Sequence, residues 1–558
     1  SSWIPNETRH YLGTESLNSV QTEPSTLTDG KRSKYTGLWL LLILLLGLGL
    51  RIAGMTWGQA FCYASQVDCL DAYSVAVDYA QGEPRAQYIG QPNFGLPKFN
   101  EHAKLPGPLW AMFCAAGLRL WGSIDGVVWA ILLLNTAAIY LTYLLAARTV
   151  GFSAALWAAL LMATSPAAIE FSIIVFNPGV MSFLGACLFL ALWQVVQQDR
   201  SRAAFWLLFL PLMMLQFHMS GLMLIPTIIL VLWLKPTRLN VPWLVGGIVA
   251  GLALYLPYIF GEMAHGWENT RDMISGGHHG YSREAFKIFS APLGFLINYW
   301  DPRWPFGRDE YREIGRICFG SFSLLLAFNA ASIILAASLV LGALVEARAA
   351  LRGFWRSPRA AFARSPGLFF LTIIFAGPLM TYLVGGNRFH VRYCIVLLAP
   401  LFSLTAVAAV RWLSRQRIRQ IFLTMLLATL CANVWLVLTL YRYQGKCIEQ
   451  GTLFLPSFHK LETVYQTLKT HAGKNQRIQV EDDGYMQAIA PKPGPDYYYP
   501  RQICQYVAIR ERESGLFSVS QPPVSIYKIV LADQVKLDNP AVAYRKHGIA
   551  LVAVPAKP

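Results

Sequence analysis

The chain has 558 residues, 55% of them hydrophobic and 14% charged, with a mean hydropathy of +0.40. Several apolar runs reach the ~20 residues that a helix needs to cross a hydrocarbon core of ~30 Å, which excludes an ordinary soluble globule and implies a polytopic α-helical membrane protein. The net charge of +16 would suit nucleic acid, but the basic residues fall in small groups between apolar runs, a pattern of membrane topology that gives nucleic acid no part.

In chain order, residues 1–36 read as a polar, disordered cytoplasmic tail that ends in Lys31, Arg32 and Lys34. The run after it is too long for a signal-peptide core and follows too much polar sequence, so it reads as an anchor. Eleven spans follow, at about 37–57, 125–147, 152–168, 179–197, 203–217, 219–234, 241–260, 321–344, 367–385, 391–410 and 420–441. Around "QFHMSG" one long helix or a re-entrant kink would change that count. With the N-terminus inside, Arg148, Arg200, Arg202, Lys235, Arg238, Arg348 to Arg364 and Arg411 to Arg419 all fall on the cytoplasmic side. Residues 58–124, about 261–320 and 442–558 are then outside, an arrangement that suits an inner (plasma) membrane and an endoplasmic reticulum membrane facing the lumen alike.

The first outside loop opens with "QVDCLDAYSVAVDYAQGEP". Leu70, Tyr73, Val77 and Ala80 recur at helical spacing, which predicts a short interfacial helix with Asp68 and Asp71 on one face. Asp78 reads as solvated. A second half-buried helix is expected over Pro108 to Trp121. In 442–558, the helical pattern "SFHKLETVYQTLKTHAG" and the strand-like runs "RIQVED", "VSIYKIVLAD" and "GIALVAVP" predict a small extracytoplasmic α/β domain. Cys62 and Cys69 share one outside region and Cys447 and Cys504 another, so two disulfides or free thiols both fit an oxidising compartment. Neither a CxxC nor a His/Cys cluster points to zinc, and the adjacent His278 and His279 do not share a helix face.

An acid after the first span, a Tyr a few residues on, the closing Gly82, the "KLPGP" element at Lys104 and the span ending "YLLAARTVGFSAALWAALLMATSP" together resemble the GT-C class of membrane glycosyltransferases. Within it, the chain is similar to the branch of protein O-mannosyltransferases and the lipid A aminoarabinose transferase. "VFNPGVMSF", "QFHMSGLMLIP", "YLPYIFGEMAHGWENTR" and "HVRYCIVLLAP" extend the likeness over most of 37–440. The resemblance implies inverting transfer of a sugar from a polyprenyl-phosphate carrier to a glycan, lipid or protein acceptor outside the cytoplasm. It implies Asp68 as general base, with Asp71 orienting the acceptor or sharing the proton. His102, Lys104, Asn177, His218, Arg271, Arg388, His390, Arg392 and Tyr393 are the implied substrate-binding residues.

Three positions depart from the family pattern. Asn177 stands where many relatives carry a second acid, Ile173 replaces an Arg, and Leu105 displaces a Pro. Competing readings are a catalytically silent GT-C-like scaffold in a membrane complex and, less compatible with charges gathered at span ends, a secondary transporter. Residue by residue, Lys104 and Arg392 can equally snorkel to lipid headgroups, and His218 can bond helix backbones. A divalent cation bridging Asp68, Asp71 and carrier phosphate is an option; no cofactor is required.

Overall fold

The computed structural model describes residues 35–57, 67–90, 104–198, 200–237, 239–275, 291–296, 316, 320–385, 391–450, 458–473, 476–481, 503, 505–513, 524–531, 542–546 and 549–554. Helices α1 (Thr36–Trp57), α2 (Val67–Gln81), α3 (Leu109–Trp121), α4 (Asp125–Thr149), α5 (Phe152–Thr164) and α6 (Pro166–Glu170) come first. They are followed by α7 (Met181–Gln197), α8 (Ala204–Phe217), α9 (Leu224–Leu234), α10 (Val241–Ala253), α11 (Leu256–Ala264), α12 (Glu268–Ser275) and α13 (Ala291–Leu296). The membrane part closes with α14 (Phe322–Ala350), α15 (Pro358–Arg364), α16 (Pro366–Gly385), α17 (Leu398–Ser414) and α18 (Gln416–Gln450).

Each expected span coincides with a helix or a helix pair. By length and composition, however, 7 helices among the described residues can cross a membrane, or 8 if α10 and α11, bent by 43° at a short break, form one span. Three others end early for local reasons. At Ser165 the chain turns extended, its hydroxyl accepts from the Ala168 amide, and Pro166 starts a new helix. His218 breaks the α8/α9 segment with an extended backbone (φ −159°, ψ 138°), followed by a 3₁₀ turn over Met219–Met223. The kink allowed by "QFHMSG" is therefore real.

Charged and polar residues tie the bundle from within. Arg51 on α1, fully buried, donates to Ser172 Oγ at 3.1 Å and to the carbonyls of Gly47 and Ala163 at 2.9 and 3.3 Å. Asn135 on α4 donates to the Gly179 carbonyl at 2.7 Å and accepts from Ser182. A guanidinium in a bundle core is tolerable because these acceptors replace its water.

Contacts join α12 to the loop before α3, α3 to the end of α8, and the break at His218 to the turns over Asn177–Val180 and Val391–Leu397, so these elements collect at one end with α2 packed on α3. The basic groups at Arg148, Arg200, Lys235, Arg348 and Arg411 lie at the other, where Gly367 packs on the Thr149 backbone.

The expected helix and strands of the C-terminal segment are present as α19 (Phe458–Ala472), β1 (Arg477–Glu481), β2 (Val524–Leu531) and β4 (Ile549–Val554). A helix over 505–513, α20, and β3 (Val542–Lys546) complete them. The sheet order is β1-β2-β4-β3, with β1 and β2 parallel and the other pairs antiparallel. Leu461, Val464, Tyr465 and Leu468 of α19 and Tyr506, Val507 and Ile509 of α20 are buried, and their core is continuous with that of α2.

Candidate active site

Helix α2 forms as its periodicity predicts, with Leu70, Tyr73, Val77 and Ala80 all buried and Gly82 (φ +78°) ending it. Asp68 and Asp71 are one turn apart on it. The described contacts begin at Asp71, whose Oδ1 accepts from Gln505 Nε2 of α20 at 2.9 Å.

The same C-terminal helix grips α2 along its length. Arg512 donates to Asp78 Oδ1 at 2.5 Å and to Ser74 Oγ at 2.8 Å, and Gln81 Nε2 reaches the Arg512 carbonyl at 2.5 Å. Tyr73 donates to Glu513, which also pairs with Arg510. Burial, and then the Glu513 carboxylate, push the Tyr73 hydroxyl pKa well up, so it stays a donor. Asp78 is thus not the solvated acid expected. It is half-buried because α20 covers it, and that burial raises its pKa against the pull of Arg512.

Lys104 leads into α3 and is fixed through its backbone. Its N–H donates to Asn269 Oδ1 at 2.7 Å, and Asn269 Nδ2 donates back to the Lys104 carbonyl at 3.1 Å and to Tyr258 Oη at 3.1 Å. Asn269 is 3% exposed. Burial, and then the nearby Arg85, lower the Lys104 pKa, while Asp78 and Asp71 act to raise it. The structure therefore brings Asp71 and Lys104 into one electrostatic neighbourhood. Leu105 is buried, and its carbonyl accepts from the Gly90 amide at 2.9 Å.

A second cluster adjoins the first through the end of α8. The Leu109 amide donates to Gln216 Oε1 at 3.3 Å, and Trp110 meets Phe217 edge-on at 6.2 Å. Asn177 Nδ2 donates to the Phe217 carbonyl at 2.7 Å. The next residue, His218, accepts from the Ser220 amide through Nδ1 at 3.1 Å, which leaves the proton of the neutral ring on Nε2. Its ring lies 5.3 Å from Tyr393. Arg392 stands over the rings of Phe176 and Tyr393 at 5.6 and 5.7 Å. Ile173 is buried in the core.

Asn177, His218, Arg392 and Tyr393 are thus brought together beside the Lys104 loop. Arg271 is not: it is exposed on α12 and folds back onto the Gly266 carbonyl. His102, Arg388 and His390 lie outside the described residues, as do Cys62, Cys504 and the Cys447 side chain. Cys69 is a buried free thiol, the second of the two states left open for it, and its candidate partner Cys62 lies outside the described residues. Among the described residues no group of three or more His, Cys, Asp or Glu gathers as metal ligands.

Neither a protein-family profile nor a curated protein sequence matches the chain. Solved structures do. ArnT from Cupriavidus metallidurans bound to undecaprenyl phosphate superimposes with a TM-score of 0.54 at 11% identity, over 94% of this chain and 99% of that one. Apo ArnT from the same organism gives 0.55 at 11% identity, over 93% and 98%. The chain has the ArnT fold. An oligosaccharyltransferase from Archaeoglobus fulgidus shows a fainter likeness, with a TM-score of 0.43 at 13% identity over 90% of this chain and 70% of that one. The uncovered share of this chain is smaller than its C-terminal α/β segment, so the match reaches into that segment.

Sequence reasoning missed Gln505 and Asn269, which hold Asp71 and Lys104, and Arg512, which holds the helix that carries Asp71. Asn269 had a faint signal as the one amide in "GWENTR", flanked by charge yet buried.

Proposed function

We propose that the chain is an inverting membrane glycosyltransferase that moves a sugar from a polyprenyl-phosphate carrier to an acceptor hydroxyl at the α2 end of the bundle. The observation that carries this reading is the fixing of the Lys104 backbone by the buried Asn269, with Asp78 and Asp71 acting to keep the lysine charged, at the loop end of an ArnT-like fold. The basic groups at the opposite end support an extracytoplasmic location for α2 by the positive-inside rule. The undecaprenyl phosphate held by ArnT supports a carrier of that class.

In the proposed reaction the acceptor oxygen attacks the anomeric carbon as the bond to the carrier phosphate breaks on the opposite face. Asp68 takes the hydroxyl proton. Asp71 orients the acceptor and keeps Lys104 charged. The departing phosphate gathers negative charge, which the Lys104 ammonium meets from a backbone already fixed by Asn269, so little reorganisation is needed. Arg392, held between Phe176 and Tyr393, and His218, with its Nε2 proton, supply further donors to phosphate or sugar oxygens. Asn177 has a structural duty at Phe217 and takes no proton.

The test is transfer of labelled sugar from membrane lipid extracts by the purified chain beside Asp68→Asn, with folding followed by thermal unfolding. Turnover by the wild type, lost in a stably folded variant, supports the reading. A wild type inactive with the common polyprenyl-phosphate sugars favours the scaffold.

A further inference from the structure

The C-terminal segment contributes a side chain to the candidate site itself. Gln505 lies at the start of α20 and Asp71 in the second turn of α2, 434 residues earlier. Their contact, Nε2 to Oδ1 at 2.9 Å, has the length of a good amide-to-carboxylate hydrogen bond. Gln505 is itself fixed, because α20 is anchored on α2 by Arg512 at Asp78 and Ser74 and by Glu513 at Tyr73. It is also anchored on α19, where Arg510 makes a two-pronged pair with Glu462 at 2.8 and 2.9 Å.

We propose that Gln505 is a positioning residue of the transfer reaction, holding the Asp71 carboxylate in its ionised form and in a fixed orientation on α2. This rests on the glycosyltransferase reading above. A neutral amide suits the task. It donates to a carboxylate and so favours the charged form, without adding the full charge that would pull Asp71 away from Lys104. Among the described residues, the charged and titratable groups on the elements packed around Asp71 include Tyr73 and Asp78 on its own helix, Lys104 from the loop before α3, and Arg510, Arg512 and Glu513 from α20. Arg510 and Arg512 are already committed to Glu462, Glu513 and Asp78. Asp71 receives the amide.

Two substitutions test this in the full chain reconstituted in phospholipid nanodiscs. Gln505→Glu keeps size but sets a second carboxylate against Asp71, which raises the proton affinity of the pair; Gln505→Ala removes the donor. The first readout needs no substrate: infrared titration of the carboxyl band that disappears in Asp71→Asn. The midpoint is expected to rise by about one pH unit in Gln505→Glu and by less in Gln505→Ala. Midpoints equal to wild type in both variants overturn the proposal.

The second readout is the pH dependence of transfer from labelled lipid extract, whose acid limb is expected to move up with the band. A band that moves while the limb stays also overturns the positioning role. Loss of the glycosyltransferase reading shows differently, as absence of turnover or as full activity in both Asp68→Asn and Asp71→Asn.

Discussion

Arg512 in α20 donates to Asp78 in α2 at 2.5 Å, a contact between residues 434 apart in sequence. It pins the C-terminal segment to the helix that carries Asp68 and Asp71. Both partners are partly exposed, so the pair itself contributes little, about 0 to 1 kcal/mol, and the Ser74 hydrogen bond adds about as much. Arg512→Ala is expected to lower stability by roughly 1 kcal/mol in thermal unfolding. The effect depends on pH. Burial raises the folded-state pKa of Asp78, so the folded chain binds its proton more tightly than the unfolded one, and stability falls as pH rises through that window. Without Arg512 the burial cost is unopposed. The penalty of Arg512→Ala should therefore be largest at neutral pH and shrink on acidification, and a penalty that grows on acidification would contradict the pairing.

The two acids of α2 have different expected roles, and kinetics can separate them. Asp68→Asn removes the proposed base and should lower kcat by about 10²- to 10⁴-fold with KM for the donor little changed. Asp71→Asn keeps an oxygen for Gln505 but loses the charge beside Lys104. It should raise KM for the lipid donor as well as lower kcat. Steady-state rates with one defined polyprenyl-phosphate sugar decide between these patterns, and identical patterns in both variants would merge the two roles.

Local order carried much of this architecture in the sequence. The spacing of Leu70, Tyr73, Val77 and Ala80 specifies α2 because each step returns to the same helix face, and all four are buried. The apolar runs likewise locate the bundle helices, but not which are long enough to cross, because Pro166 and the extended His218 cut helices that hydropathy alone would continue. Asp78 reads as solvated in the sequence for a different reason. Its cover, α20, lies hundreds of residues away, and no local pattern records a contact across that distance. Gln505 and Asn269 escape notice in the same way, since an amide reads as surface until its partners are known. Arg51 shows the converse: one basic residue in an apolar run is cheap when Ser172 and two carbonyls converge on it.

Arg392 stands over Phe176 and Tyr393, and a guanidinium face suits such stacking better than an ammonium. Arg392→Lys keeps the charge while losing the planar contact. If Arg392 merely snorkels to headgroups, this exchange is neutral. If it holds donor phosphate or sugar oxygens in a fixed plane, KM for the donor should rise about tenfold, a loss of ~1.4 kcal/mol. Donor titration of wild type and Arg392→Lys, at matched detergent and salt, measures the difference.

Lys104 gives the sharpest pH prediction. Its ammonium form is the one that meets the leaving phosphate, and burial, followed by the charge of Arg85, lowers its pKa. Transfer should therefore decline on the alkaline side at a lower pH than an ordinary lysine would give. Asp71 acts in the opposite sense, so removing its charge in Asp71→Asn should move that alkaline limb further down. Removing the positive charge of Arg85, in Arg85→Gln, should move it up. Lys104→Arg should abolish the limb within the accessible range, because a guanidinium stays charged there, at the cost of a poorer fit to the phosphate. Asn269→Ala frees the backbone that aims Lys104, losing two hydrogen bonds to a buried amide, and should lower kcat while leaving the position of the limb unchanged. A rate profile across alkaline pH for these variants separates the charge of Lys104 from its placement, and a limb that ignores both Asp71 and Arg85 would remove Lys104 from the reaction.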